Sequence, residues 1–265
     1  MKKIICTITI ILAIGIISCK KDISSKENQK GLIQNPINNK RISTIDVDYK
    51  NNLNPYDNIG QIHNTGLDYL FSTYNTWSSP IDSSLVNGAR DYGVNTLGYS
   101  YSSVNASIYT SYNSINSYMA NNNDQFDQAV YNMINDWSGS IGAKNYMHSL
   151  FQSVFEYTDI NNASALITTI KGIEINITND SSISSNDKES LYRVASVLRY
   201  SIYYWDSKTP TVWPNNAVPT WWKKVKAWLE DHPQVKVACA DAAVLILQPT
   251  PWGVVSAFCA SIASF

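Results

Sequence analysis

The spacing of apolar residues is the feature that most restricts what this chain can fold into. From Asn54 onward they recur at helical rather than strand spacing along nearly the whole chain. The sharpest stretch is Asn186 to Trp205, where Leu191, Val194, Ala195, Leu198, Ile202 and Trp205 form one stripe and Asn186 and Glu189 have capping-box spacing. A first helix follows Asn54-Pro55, an N-cap residue before a proline at the first helical position, with Ile59, Ile62, Leu67, Leu70 and Phe71 at helical spacing. Further helices are expected over Pro80 to Leu97, Ser107 to Asn121, Asp124 to Trp137, Ala143 to Tyr157 and Asn162 to Ile177. In the last of these, Gly172 and the β-branched run Ile173 to Thr178 would also suit a strand. Pro210, Pro214 and Pro219 mark Asp206 to Thr220 as a long connection, followed by a short amphipathic helix Trp221 to Glu230. The expected fold class is all-α, a multi-helix globular bundle over residues 53–265, in which the first helix packs on the Asn186–Trp205 helix with His63 and Arg199 on neighbouring faces.

The N-terminus carries a different signal. Lys2 and Lys3 precede an unbroken apolar run from Ile4 to Ile17 that stops at Ser18-Cys19. Such a run is shorter than the roughly 20 residues of a spanning helix and has the layout of an export signal, residues 1–18. Ile16-Ile17-Ser18-Cys19 resembles the lipobox of bacterial lipoproteins, which implies that Cys19 is acylated and becomes the mature N-terminus. Two or more acyl chains would make that anchor permanent, in the bacterial cell envelope and by expectation the outer membrane. Residues 19–52 are polar with scattered hydrophobes and read as a disordered tether, because they bury too little apolar area to offset their ordering entropy.

About 210 residues remain for the body, enough for one real core. The formal net charge is −1, with 15% charged residues, and no basic patch points to nucleic acid. The 17 Tyr and 8 Trp can build a core or line a surface for a peptide or sugar. No CxxC, HExxH, GxGxxG, GxxxxGK[ST] or GxSxG occurs, so no metal or cofactor is expected. His232 sits before Pro233 in a turn, and His148 lacks an acidic residue at helical spacing. His63 lies at the edge of the apolar face of the first helix, beside a polar stripe of Asp57, Gln61, Asn64 and Asp68. A hydrolytic site could be built from His63 with Asp57 or Asp68; the plainer interpretation is a satisfied, half-buried histidine. Arg199 flanks the Asn186–Trp205 stripe, where it could pair with a carboxylate such as Asp68 and, with Asn64, contribute to a binding site.

The tail reads as two apolar helices, Pro233 to Gln248 and Trp252 to Phe265, joined by Pro249-Thr250-Pro251 in an antiparallel hairpin, residues 233–265. Asp241 and the short length of each segment favour burial in the core over membrane spanning. Cys239 and Cys259 lie equidistant from Pro249, hence at one level of such a hairpin, with small neighbours that permit close approach. Cys6 leaves with the signal, so these two thiols are expected to form a disulfide in an oxidising compartment; two buried, reduced cysteines are the alternative.

Three segments carry a family resemblance: Asn54-Pro55-Tyr56-Asp57-Asn58-Ile59-Gly60-Gln61-Ile62-His63-Asn64 with Gly66-Leu67-Asp68-Tyr69, Ala195 to Trp205, and Lys236 to Ala242. They are similar to motifs of an uncharacterised family of Bacteroidota lipoproteins and secreted proteins. The resemblance covers about 33 residues and implies the compartment and a helical fold but no activity. Members often end in a glycine-rich, bacteriocin-like tail, whereas Pro249, Pro251, Trp252 and Gly253 interrupt this one. The expected function is a non-enzymatic, envelope-anchored module for a peptide, glycan or protein partner. The alternatives are the hydrolase built on His63 and a membrane-active antibacterial protein working through its tail.

Overall fold

A computed structural model describes residues 48–73, 83–122, 125–157, 163–207 and 233–257. The signal peptide, Cys19, most of the tether, the Trp221–Glu230 helix, His232 and Cys259 lie outside the described residues. The described elements are α1 (Asp57–Thr73), α2 (Ser83–Asp91), a π-helical turn (Tyr92–Thr96), α3 (Tyr101–Asn121), α4 (Phe126–Asp136), α5 (Ile141–Phe155), α6 (Ala163–Asn179), α7 (Ser185–Ser207) and α8 (Pro233–Leu247). The fold is all-α. Among the described residues there is no strand, and no helix is long and apolar enough to cross a membrane.

Every residue of α7 from Leu191 to Ile202 is buried. An amphipathic stripe needs cover on one side only, but α7 is wrapped by α1, α5, α6 and α8, so its polar side is buried too. Arg193, Ser196, Arg199 and Ser201 therefore lie inside the protein, where each must find a partner or cost free energy. That requirement positions the site described below.

Local chemistry shifts several boundaries from those expected. Asn54 Oδ1 accepts from the Tyr56 amide in an Asx turn, so α1 begins at Asp57 rather than at Pro55. Ser184, not Asn186, caps α7 by accepting from the Asp187 amide, and α7 runs through Asp206 to Ser207 instead of ending at Trp205. The helix expected over Pro80 to Leu97 divides into α2 and the π turn, and Gly98, at φ +72°, supplies the left-handed residue before α3. Helix α3 starts at Tyr101, ahead of Ser107, because Ser100 caps it through the Ser103 amide. The β-branched run in α6 is helical, with Ile170, Glu174 and Ile177 on one buried face. Residues 48–52, assigned to the tether from sequence, pack on the body: Asn51 is buried and the Tyr49 ring stacks on Tyr203 at 3.8 Å between centroids.

Helix α8 packs into the core, with Ala238, Cys239, Asp241, Ala242, Ala243 and Leu245 buried. The chain then turns at residues 249–252, and Ser256 meets Ser107 of α3 at 2.8 Å. This part of the tail is joined to the body. The expected Cys239–Cys259 bridge lies outside the described residues because Cys259 does.

Candidate functional site

The polar groups singled out in sequence gather along the α1–α7 interface, but in two separate networks. Gly60 lets the two helices touch: its amide donates to Ser196 Oγ at 2.9 Å, and Ser196 Oγ donates to the Asp57 carbonyl at 2.9 Å.

The first network is centred on Arg199, which is fully buried. Its Nη2 donates to Asp57 Oδ1 and, at 3.0 Å, to Glu174 Oε1; its Nε lies 2.9 Å from Glu174 Oε2, and its Nη1 donates to the Tyr49 carbonyl. Glu174 is 1% exposed and accepts two further bonds, from Asn51 Nδ2 at 2.7 Å and Asn54 Nδ2 at 2.6 Å. The carboxylate's hydrogen-bonding capacity is thereby used, as a charge in the interior requires. Asp57 Oδ2 accepts from the Tyr200 hydroxyl at 2.9 Å; burial and then this carboxylate push the phenol well above its ordinary range. Sequence paired Arg199 with Asp68. Asp68 instead accepts from Tyr204 at 3.0 Å, and burial followed by that carboxylate raises the Tyr204 phenol.

The second network holds His63, whose ion-pair partner is Asp241 of α8. Its Nε2 lies 3.2 Å from Asp241 Oδ2 on α8, and Asp241 Oδ2 also accepts from Ser201 Oγ on α7. Asn64 Nδ2 donates to the Tyr200 carbonyl at 2.9 Å, which leaves its Oδ1 facing His63 Nδ1 at 2.9 Å. His63 is fully buried, not half-buried, and half-buried Asn64 spends both ends of its amide on neighbouring groups of the fold. Serine, aspartate and histidine meet here, but in the wrong order for nucleophilic catalysis. An imidazole activates a serine by standing between it and the carboxylate; here the carboxylate stands between, and all three side chains are fully buried. The arrangement joins three helices through a core polar network. His148 contacts Asn135 Oδ1 at 3.2 Å and the Tyr131 ring at 5.3 Å, and burial, then Lys144, lower its imidazole below the ordinary value. Among the described residues no group of three or more His, Cys, Asp or Glu could hold a metal ion.

Sequence reasoning missed the surface of α3. No Asp, Glu, Lys, Arg or His occurs between Tyr92 and Asn123, and that run was a legible signal. On the exposed side of α3 stand Tyr101 at 58% and Tyr109 at 48% exposure, with Ser102, Thr110, Asn113 and Ser117 around them.

No protein-family model matches the chain, and neither a curated protein nor a solved structure matches it.

Proposed function

We propose that the chain is a lipid-anchored protein of the bacterial envelope whose helical body is a non-enzymatic binding module, with the exposed face of α3 as its contact surface for glycan. One observation carries this reading: the buried ionisable side chains, Arg199 with Glu174 and His63 with Asp241, are spent on one another, while α3 presents tyrosine, serine, threonine and asparagine to solvent without a charge. Tyrosine offers a rigid aromatic plane at low entropic cost, and hydroxyl and amide side chains offer adaptable hydrogen bonds. A sugar ring has the matching parts, an apolar C–H face and a rim of hydroxyls.

The binding test uses neutral oligosaccharides and purified envelope polysaccharides with the mature protein. Tyr101→Ala/Tyr109→Ala should weaken binding at least tenfold, since each aromatic contact contributes about 1 kcal/mol. Equal affinity of the double variant and the wild type, or no saccharide bound at millimolar concentration, rejects the reading.

The envelope placement rests on Lys2, Lys3, the apolar run and the Cys19 lipobox, and the resemblance to Bacteroidota lipoproteins supports it. In that compartment Cys239 and Cys259 would be free to pair. Labelled fatty acid should enter the wild-type protein and be absent from Cys19→Ser; equal labelling of both would show that Cys19 is not the anchor.

A further inference from the structure

At one end of the α3 face lies a cation, Arg90, that makes no ion pair with a carboxylate among the described residues. Arg90, the penultimate residue of α2, lays its guanidinium over the ring of exposed Tyr101, 4.8 Å from the centroid. Its Nη1 donates to Asn105 Oδ1 at 2.8 Å and its Nη2 to Asn87 Oδ1. Its Nε is buried without a hydrogen-bond partner, and none of the ion pairs among the described residues includes Arg90.

The donor count defines what could bind. A guanidinium has five N–H groups in a planar fork. Two go to the asparagine oxygens and the Nε hydrogen is buried, which leaves one on each terminal nitrogen. One donor from each terminal nitrogen is what a carboxylate takes in an end-on bidentate pair. The asparagines and the tyrosine ring hold the guanidinium without supplying a negative charge, so little rotamer entropy remains to be lost on binding.

We propose that Arg90 makes the α3 face a reader of acidic glycans, with the oligosaccharide running along the exposed tyrosines and a uronic-acid carboxylate on the Arg90 guanidinium, which already covers one face of Tyr101. This rests on α3 being the contact surface. Tyr109, eight residues along and roughly 12 Å further by the helical rise, extends the track for an oligosaccharide rather than a single sugar. The unbroken lack of charge from Tyr92 to Asn123 means that no group on α3 itself repels or competes for an anion at Arg90.

The probes are oligogalacturonate and its methyl ester, which share every ring and differ in charge. By calorimetry on the mature protein, the acid should bind the wild type about tenfold or more tightly than the ester, the effect of charge-assisted hydrogen bonds, and salt should narrow the gap. Arg90→Gln should bind both with the ester's affinity, and Arg90→Lys should keep part of the preference, because an ammonium is a point charge without the fork. If the wild type binds acid and ester alike, or Arg90→Gln keeps the preference, Arg90 does not read charge and the α3 surface remains a neutral-glycan site. If neither sugar nor any neutral oligosaccharide binds the wild type, the surface itself is wrong and both readings fall together.

Discussion

Replacing Arg199 with methionine should cost the body about 3–5 kcal/mol of unfolding free energy, a fall in Tm of roughly 10 °C. Methionine has the length to fill the site, so the loss is electrostatic: Glu174, 1% exposed, keeps its two asparagine donors but loses the guanidinium that made its burial tolerable. Asp57 escapes the same penalty because its side chain is 18% exposed. The double variant Arg199→Met/Glu174→Leu should regain a substantial part of the loss, because removing both charges also removes the stranded one. The recovery will be incomplete, since the Asn51 amide and the Tyr49 carbonyl lose their partners in this network. Urea denaturation of the two single variants and the double variant measures the coupling. A loss below about 1 kcal/mol for Arg199→Met would mean that the network is not the electrostatic centre it resembles.

The axis of the fold was legible, because the apolar stripe from Leu191 to Trp205 identifies α7 whatever surrounds it. The extent of its burial was not. A stripe predicts one covered face, and the burial of Arg193, Ser196, Arg199 and Ser201 follows from four helices that pack on α7 from different parts of the chain. The same limit explains the mistaken partner of Arg199. Asp57 and Asp68 belong to one polar stripe of α1, and the stripe does face α7. Which of its carboxylates meets Arg199, 142 residues from Asp57, depends on where the helices cross, a tertiary fact set by Gly60. Glu174 was hidden for another reason. In a run of β-branched residues it reads as a solvated charge between two strand-like isoleucines, and only its place on the buried face of α6 shows otherwise. His63 was recognised as unusual, but Asp241 sits in a tail whose composition speaks only of burial, so the pair could not be foreseen. Tyr101 and Tyr109 were legible in principle: aromatics in a stretch without charges have no ionic reason to be on the surface, yet that is where α3 holds them.

Gly60→Ala tests the crossing point directly, and it should destabilise the body by about 2–4 kcal/mol even though alanine is the better helix former by up to about 1 kcal/mol. A Cβ on Gly60 would stand 2.4 and 2.6 Å from two atoms of the Tyr200 ring and 2.7 Å from the Ser196 carbonyl oxygen. The ring cannot simply swing away, because its hydroxyl is bonded to Asp57 and the Tyr49 ring meets it edge-on at 4.8 Å. The carbonyl is helix backbone and cannot move at all without α7. Helices α1 and α7 must therefore separate, and separation breaks the Gly60–Ser196 and Ser196–Asp57 bonds and lengthens the Arg199–Asp57 contact. Gly172→Ala, on the exposed side of α6 with nothing within 4 Å of its added Cβ, supplies the internal control. There the propensity gain acts alone, and the variant should be more stable by about 0.5–1 kcal/mol. Opposite signs for the same substitution in two helices of one protein, read by thermal unfolding, would place the close approach at Gly60. A stabilised Gly60→Ala would show that α1 and α7 do not meet there.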